Sequence, residues 1–113
     1  MEVSIKSFTE NVLSKGADIK ALTYIVGDMN ELGDSTEREH QKVGKLLKSL
    51  GATRVYFVGR YRQFYQSGFQ GGAKTYQNTH ELLKEWDQIQ RDSAYFFIKG
   101  SRSLQLESII DIK

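Results

Sequence analysis

The sequence predicts a three-layer α/β domain built on a mainly parallel sheet. Short runs of β-branched and aromatic residues alternate along it with amphipathic stretches of helical period. Such alternation implies strand–helix–strand units, which give parallel strands and right-handed crossovers. Two of the strand runs lead straight into polar, glycine-containing loops: Gly27-Asp28-Met29-Asn30-Glu31-Leu32-Gly33 and Lys99-Gly100-Ser101-Arg102. An open α/β sheet binds its ligands beyond the carboxyl ends of its strands, where loops of this kind sit.

Each element has its own signal. Ile5, Phe8 and Val12 recur at helical spacing, so residues 2–15 read as an amphipathic helix stopped by Gly16. No capping residue precedes it, an abrupt start expected of a chain cut from something longer. Leu22–Val26 is the first strand. A helix follows over about 35–50, with Asp34 or Ser35 as its cap and Glu37 and Glu39 near its positive end. His40, Val43, Leu47 and Leu50 share one face of it, and Gly51 is the stop. Val55–Val58 is the second strand, Arg60–Ser67 a short aromatic helix, and Ala73–Tyr76 a third strand. Asn78 with Glu81 makes a capping-box-like start for a helix over 79–90, whose inner face carries Leu82, Leu83, Trp86 and Ile89. Tyr95–Ile98 is an unbroken apolar strand, the pattern of a strand covered on both faces. Ser103–Ile112 is a closing helix.

This sequence of elements predicts the strand order 3-2-1-4, a Rossmann-like arrangement. Strands one and four are then neighbours with crossovers leaving in opposite directions, and their carboxyl ends form the switch-point crevice. Asp28 and Lys99 are expected to face each other across it.

The chain of 113 residues is long enough for one domain, 1–113, with one substantial core. Its net charge of +2 and its scattered basic residues give no argument for a nucleic-acid partner. Arg54, Arg60 and Arg62 form a local basic cluster that a solvated helix start explains. Without cysteine there is neither a disulfide framework nor a thiolate metal site. No apolar run approaches the ~20 residues that span a bilayer, and no secretory leader pattern is present. A cytoplasmic, monomeric domain with no membrane partner is the expectation. The aromatic stretch Tyr61–Phe69 is an expected exposed patch.

Asp28 ends a strand, where a carboxylate binds a ribose hydroxyl, a metal or an ammonium group, or else caps a turn. Glu31 reads as a solvated loop acid. Lys99, Ser101 and Arg102 bring two cations and a hydroxyl to a strand end before a helix, which suits an anion. His40, on an apolar helix face, reads as a packed, hydrogen-bonded residue that at most supports a site from behind. His80 reads as exposed, and two histidines without cysteine make zinc a poor fit. Residues 68–75, Gly-Phe-Gln-Gly-Gly-Ala-Lys-Thr, imitate a phosphate loop. Ala73 replaces the second glycine, and the segment runs from helix to strand rather than strand to helix. No nucleophile elbow is present.

The two loops, with Glu39-His40, Val43-Gly44 and the run from Val55 to Gly59, resemble the C-terminal domain of the Mur ligases. The likeness is greatest to the MurF branch, the UDP-N-acetylmuramoyl-tripeptide–D-alanyl-D-alanine ligases, and it runs from about residue 20 to the end. The resemblance implies a cytoplasmic enzyme of peptidoglycan precursor synthesis that uses ATP and Mg2+. Its substrates would be UDP-N-acetylmuramoyl-tripeptide and D-alanyl-D-alanine. It also implies that this domain closes over ATP and the amino substrate, while a central domain holds the phosphate loop and the magnesium. Gly27, Asp28, Met29, Asn30, Glu31, Leu32 and Gly33 would wall the closed site. Lys99, Gly100, Ser101 and Arg102 would hold the carboxylate of D-alanyl-D-alanine or the adjoining phosphates. No catalytic residue and no metal ligand is expected within these 113 residues, which alone should be inactive. Two readings compete with a ligase domain: a stand-alone nucleotide- or peptide-binding module, and a phosphotransfer receiver. The receiver lacks its acceptor carboxylate, because Val58 leads into Gly59-Arg60.

Overall fold

Four parallel strands lie in the order β3-β2-β1-β4 in the computed structural model, which describes residues 1–29, 33–91 and 93–100. The chain runs α1 (Glu2–Ser14), β1 (Leu22–Gly27), α2 (Thr36–Ser49), β2 (Arg54–Val58), α3 (Arg62–Phe69), β3 (Lys74–Tyr76), α4 (Thr79–Leu83), α5 (Trp86–Arg91) and β4 (Tyr95–Lys99). The expected 3-2-1-4 order is the observed one. The expected helix over Ser103–Ile112 lies outside the described residues.

Alternation along the strands builds a core on each face. Tyr24, Val26, Phe57 and Phe97 point to the face covered by α1, α2 and α3, where they meet Ile5, Val12, Val43, Leu47, Tyr65 and Phe69. Ile25 and Val58 point to the other face and meet Tyr76, Leu82, Trp86 and Ile89. β1 is buried along its whole length, as a central strand with both faces covered must be. One buried polar pair interrupts the first core: the Thr9 hydroxyl donates to the Ile5 carbonyl at 2.8 Å and meets the Tyr24 hydroxyl at 2.6 Å. With a partner, such a pair costs little.

α2 and α3 cross at two glycines. A Cβ on Gly44 would lie 2.2 Å from the Tyr65 carbonyl oxygen, and one on Gly68 would lie 2.0 Å from that of Gln41. Backbone touches backbone there, and α3 is thereby drawn close to α2.

Four local expectations need correction. Ser35 precedes α2 but makes no side-chain cap. A 3-10 turn over Gly33–Ser35 runs directly into the helix, so Ser35 already has helical dihedrals, and its hydroxyl accepts from the Arg38 side chain at 3.0 Å. α3 starts at Arg62, not Arg60, because Gly59-Arg60-Tyr61 is held as a loop. The expected helix over 79–90 is two, broken at Lys84-Glu85. Its start is as expected, with the Asn78 side chain accepting from the Glu81 N–H at 2.9 Å. At the break, Glu85 reaches back to the Tyr76 hydroxyl at 2.8 Å and to Lys74 at 3.1 Å. Finally, β4 is an edge strand of the described sheet. Only Phe97 in it is buried, and Tyr95 and Lys99 are exposed.

The Tyr61–Phe69 stretch is not an exposed patch. Tyr65 and Phe69 are buried and Tyr61 and Phe64 are half-buried.

Candidate functional site at the carboxyl edge of the sheet

The loop that leaves β1 is fastened at three successive residues. Gly27 accepts, through its carbonyl, the Tyr65 hydroxyl at 2.6 Å. Asp28 accepts the Arg60 N–H at 3.0 Å on one carboxylate oxygen and the Tyr61 N–H at 2.8 Å on the other. Met29 donates its N–H to His40 Nε2 at 3.1 Å. Each fastening is made by a group nearly or wholly out of solvent: Tyr65 and His40 are 0% exposed and Asp28 is 8% exposed.

The elements explain these contacts. Tyr65 lies on the inner face of α3, its ring stacked on Phe57 of β2 at 5.0 Å and 11°. Its hydroxyl is left at the strand end, where a carbonyl needs a donor. Burial, and then the charge of Asp28, push the Tyr65 phenol far above its ordinary range, so it remains a donor. His40 comes from α2, one turn after Thr36, whose carbonyl lies 2.6 Å from Nδ1. With Met29 donating to Nε2, the proton must sit on Nδ1, so the ring is neutral. Burial lowers the pKa of His40; the Thr36 carbonyl and the charges of Asp28 and Glu39 offset this in part. The imidazole packs against Tyr61 at 4.9 Å and Tyr65 at 4.7 Å.

Asp28 therefore does not face Lys99. Its carboxylate is turned toward the end of β2, away from β4, and both oxygens serve the loop before α3. Among the described residues the two amides there have no other partner, and a carboxylate satisfies both with charge-assisted bonds. Room for it is made by Gly59, whose φ is +114° and whose Cβ, if present, would lie 2.6 Å from the carboxylate. Sequence reasoning gave Gly59 no role. The signal available was a glycine immediately after a strand, level with a strand-end aspartate.

Lys99 closes β4 and is exposed beside Gly100, level with Val26 of β1. Arg60 is exposed at the end of β2, its guanidinium 5.8 Å from the centre of the Tyr61 ring. Arg62 turns back to the Gly59 carbonyl at 2.9 Å. Among the described residues the carboxyl edge thus carries one inward anion, its oxygens engaged by amides, and two outward cations on either side of β1. Gly33 begins the 3-10 turn before α2 with φ +55°. Asn30, Glu31, Leu32, Ser101 and Arg102 lie outside the described residues.

His80 is exposed in α4. The phosphate-loop imitation leaves α3 through left-handed Gln70, Gly71 and Gly72, and Gln66 ties both backbone groups of Ala73. Among the described residues no group of three His, Cys, Asp or Glu side chains is placed to hold a metal ion. Among them, too, no helix is long and apolar enough to cross a membrane.

Comparison with known proteins gives a consistent result. No family model matches the sequence. The chain is 32% identical over 110 residues to the UDP-N-acetylmuramoyl-tripeptide–D-alanyl-D-alanine ligase of Rickettsia prowazekii, covering 96% of this chain and 24% of that one. It is 27% identical over 113 residues to the Escherichia coli enzyme of the same name, covering 92% of this chain and 25% of the relative. A crystal structure of MurF from Acinetobacter baumannii superposes with a TM-score of 0.77 at 25% identity, over 98% of this chain and 25% of that chain. A second crystal structure of the same protein gives 0.72 at 28% identity. The chain spans about a quarter of the length of the curated relatives it matches. Matching in sequence and in fold over nearly all its own residues, it is a homologue of the C-terminal portion of the MurF ligases.

Proposed function

We propose that this chain works as the C-terminal domain of an ATP-dependent ligase that joins D-alanyl-D-alanine to UDP-N-acetylmuramoyl-tripeptide. The observation that carries the reading is the match to such ligases across 96% of the chain. In the reaction, ATP converts the tripeptide carboxylate to an acyl phosphate and leaves as ADP. The amine of D-alanyl-D-alanine then attacks that carbonyl, and phosphate departs as the new amide forms. The residues of this domain bind and orient; they need not exchange protons with the reacting atoms.

The loop 27–33 walls the closed site in this proposal, and Lys99, Gly100, Ser101 and Arg102 receive an anion. The fastening of residues 27–29 supports the first assignment, since a wall should keep its shape before the ligand arrives. The exposed Lys99 at the strand end supports the second. Asp28 has both oxygens engaged by backbone amides, so Mg2+ and most phosphate contacts are assigned to other parts of the ligase. Closure of this domain over them completes the site.

The test is to express the whole reading frame that contains this chain and to follow ADP release. Release that requires both the tripeptide and D-alanyl-D-alanine supports the proposal. Release that ignores the dipeptide, or none from a folded protein, refutes it and leaves a binding module.

A further inference from the structure

Asp28 occupies the position an anionic ligand would otherwise take at the start of α3. With both its oxygens on the Arg60 and Tyr61 amides, those amides are unavailable to substrate. An anion arriving at the end of β2 must therefore be met by a side chain, and the side chain presented there is Arg60.

Several observations fix that presentation. The backbone of Arg60 is held by Asp28 at 3.0 Å. The residue before it, Gly59, is tied on both sides, its N–H to the Tyr76 carbonyl at 2.9 Å and its carbonyl to Arg62 at 2.9 Å. The Arg60 guanidinium lies against the Tyr61 ring. That ring is in turn stacked on Phe64 at 5.7 Å and 9° and packed on buried His40. Among the described residues Arg60 makes no ion pair, whereas Lys42, Lys74 and Lys84 each pair with a glutamate. A guanidinium on an aromatic platform keeps its outer N–H groups for a planar oxyanion.

The register gives the span. Gly27 is level with Val58, and Val26 with Lys99. Arg60 and Lys99 thus stand at one sheet edge on opposite sides of β1, on strands about 10 Å apart at the usual spacing.

We infer that Arg60 is an anion-binding residue of the closed site, taking a carboxylate or phosphoryl group of a substrate, and that Asp28 is the residue that positions it. The inference rests on the ligase reading above and goes beyond it by assigning a residue from the loop after β2. The experiment compares wild type, Arg60→Gln and Arg60→Lys in the whole ligase. Each is assayed for KM toward D-alanyl-D-alanine and toward ATP, with Lys84→Gln, at the break between α4 and α5, as control. Arg60→Gln should raise one KM at least tenfold with a smaller change in kcat, and Arg60→Lys should restore part of it. A rise for the dipeptide alone assigns the carboxylate; a rise for ATP alone assigns the phosphoryl group. Unchanged KM values in an active enzyme overturn the inference while leaving the ligase reading intact. Should the wild type not ligate, titration of this chain with D-alanyl-D-alanine or inorganic phosphate decides the matter by NMR. Ligand-dependent shifts of the Arg60 side-chain N–H, accompanied by shifts of the Tyr61 and Arg62 backbone amides that are lost in Arg60→Gln, support anion binding, and their absence at millimolar ligand overturns it.

Discussion

Asp28 shows how a residue with every mark of a ligand can be structural. Its position after β1 is where an α/β sheet keeps its chemistry, and the sequence carries no sign that two amides thirty residues away will consume it. Because those amides have no other partner among the described residues, Asp28→Ala leaves them unsatisfied near the surface. The cost should be about 1–3 kcal/mol, read as a lower urea midpoint by fluorescence of the single tryptophan, Trp86, which is 6% exposed. Asp28→Asn keeps one acceptor and should cost less. His40 makes a second prediction at this scale. Its folded pKa lies below the ordinary 6.5, so the unfolded chain takes up the proton first as pH falls. Stability from the neutral ring is complete above about 6.5 and declines as pH drops toward the folded value. Protonation would also set an Nε2–H against the Met29 N–H. The urea midpoint of wild type should therefore fall between pH 7 and pH 5. His40→Gln should remove most of that slope; an equal slope in both proteins would assign it to other groups.

At the scale of elements, the strands were legible because apolar runs of the right length stood between glycine and polar turns. Their order was legible because alternation with helices leaves few right-handed solutions. Helix ends were less so. The start of α3 is displaced by Asp28, a contact between residues distant in sequence that no local pattern encodes. The break between α4 and α5 is set by Glu85 reaching back to Tyr76 and Lys74, again a tertiary contact. The loops at the carboxyl edge were legible as a candidate site, but which of their side chains bind backbone was not. Side chains that bind backbone and side chains left for a ligand look alike in a sequence. The α2–α3 crossing gives the test at this scale. Gly44→Ala and Gly68→Ala each force a methyl into opposing backbone and should cost about 3 kcal/mol, near the upper end of ordinary overpacking. Both strains are relieved by the same separation of the helices. The double variant should therefore cost clearly less than the sum, and strict additivity would mean the two contacts relax independently. Moving α3 also moves Tyr65 from Gly27, so either variant should loosen the loop after β1, seen as faster amide exchange at Met29.

At the scale of the molecule, the described residues form a four-stranded parallel sheet whose carboxyl edge carries a carboxylate already held by backbone amides. The ligase proposal gives this chain no phosphate loop and no metal site of its own. It follows that the isolated 113 residues should release no ADP from ATP in the presence of both substrates. Release by the purified chain would require a second nucleotide site. The central position of β1 has a further consequence, for the order in which the molecule can be made. β1 pairs with β2 on one side, but its other edge waits for β4, so that Leu22 meets Tyr95 across most of the chain. Thr23 and Ser93 then join through their hydroxyls. On a ribosome, β1 has long emerged before its second neighbour exists, and the backbone N–H and C=O groups of that edge stay unpaired meanwhile. Pairings this distant slow folding, because loop closure is paid before the contacts reward it. A chain ended after β3 should accordingly collapse without a fixed core and bind a hydrophobic dye, and adding β4 should abolish the dye signal.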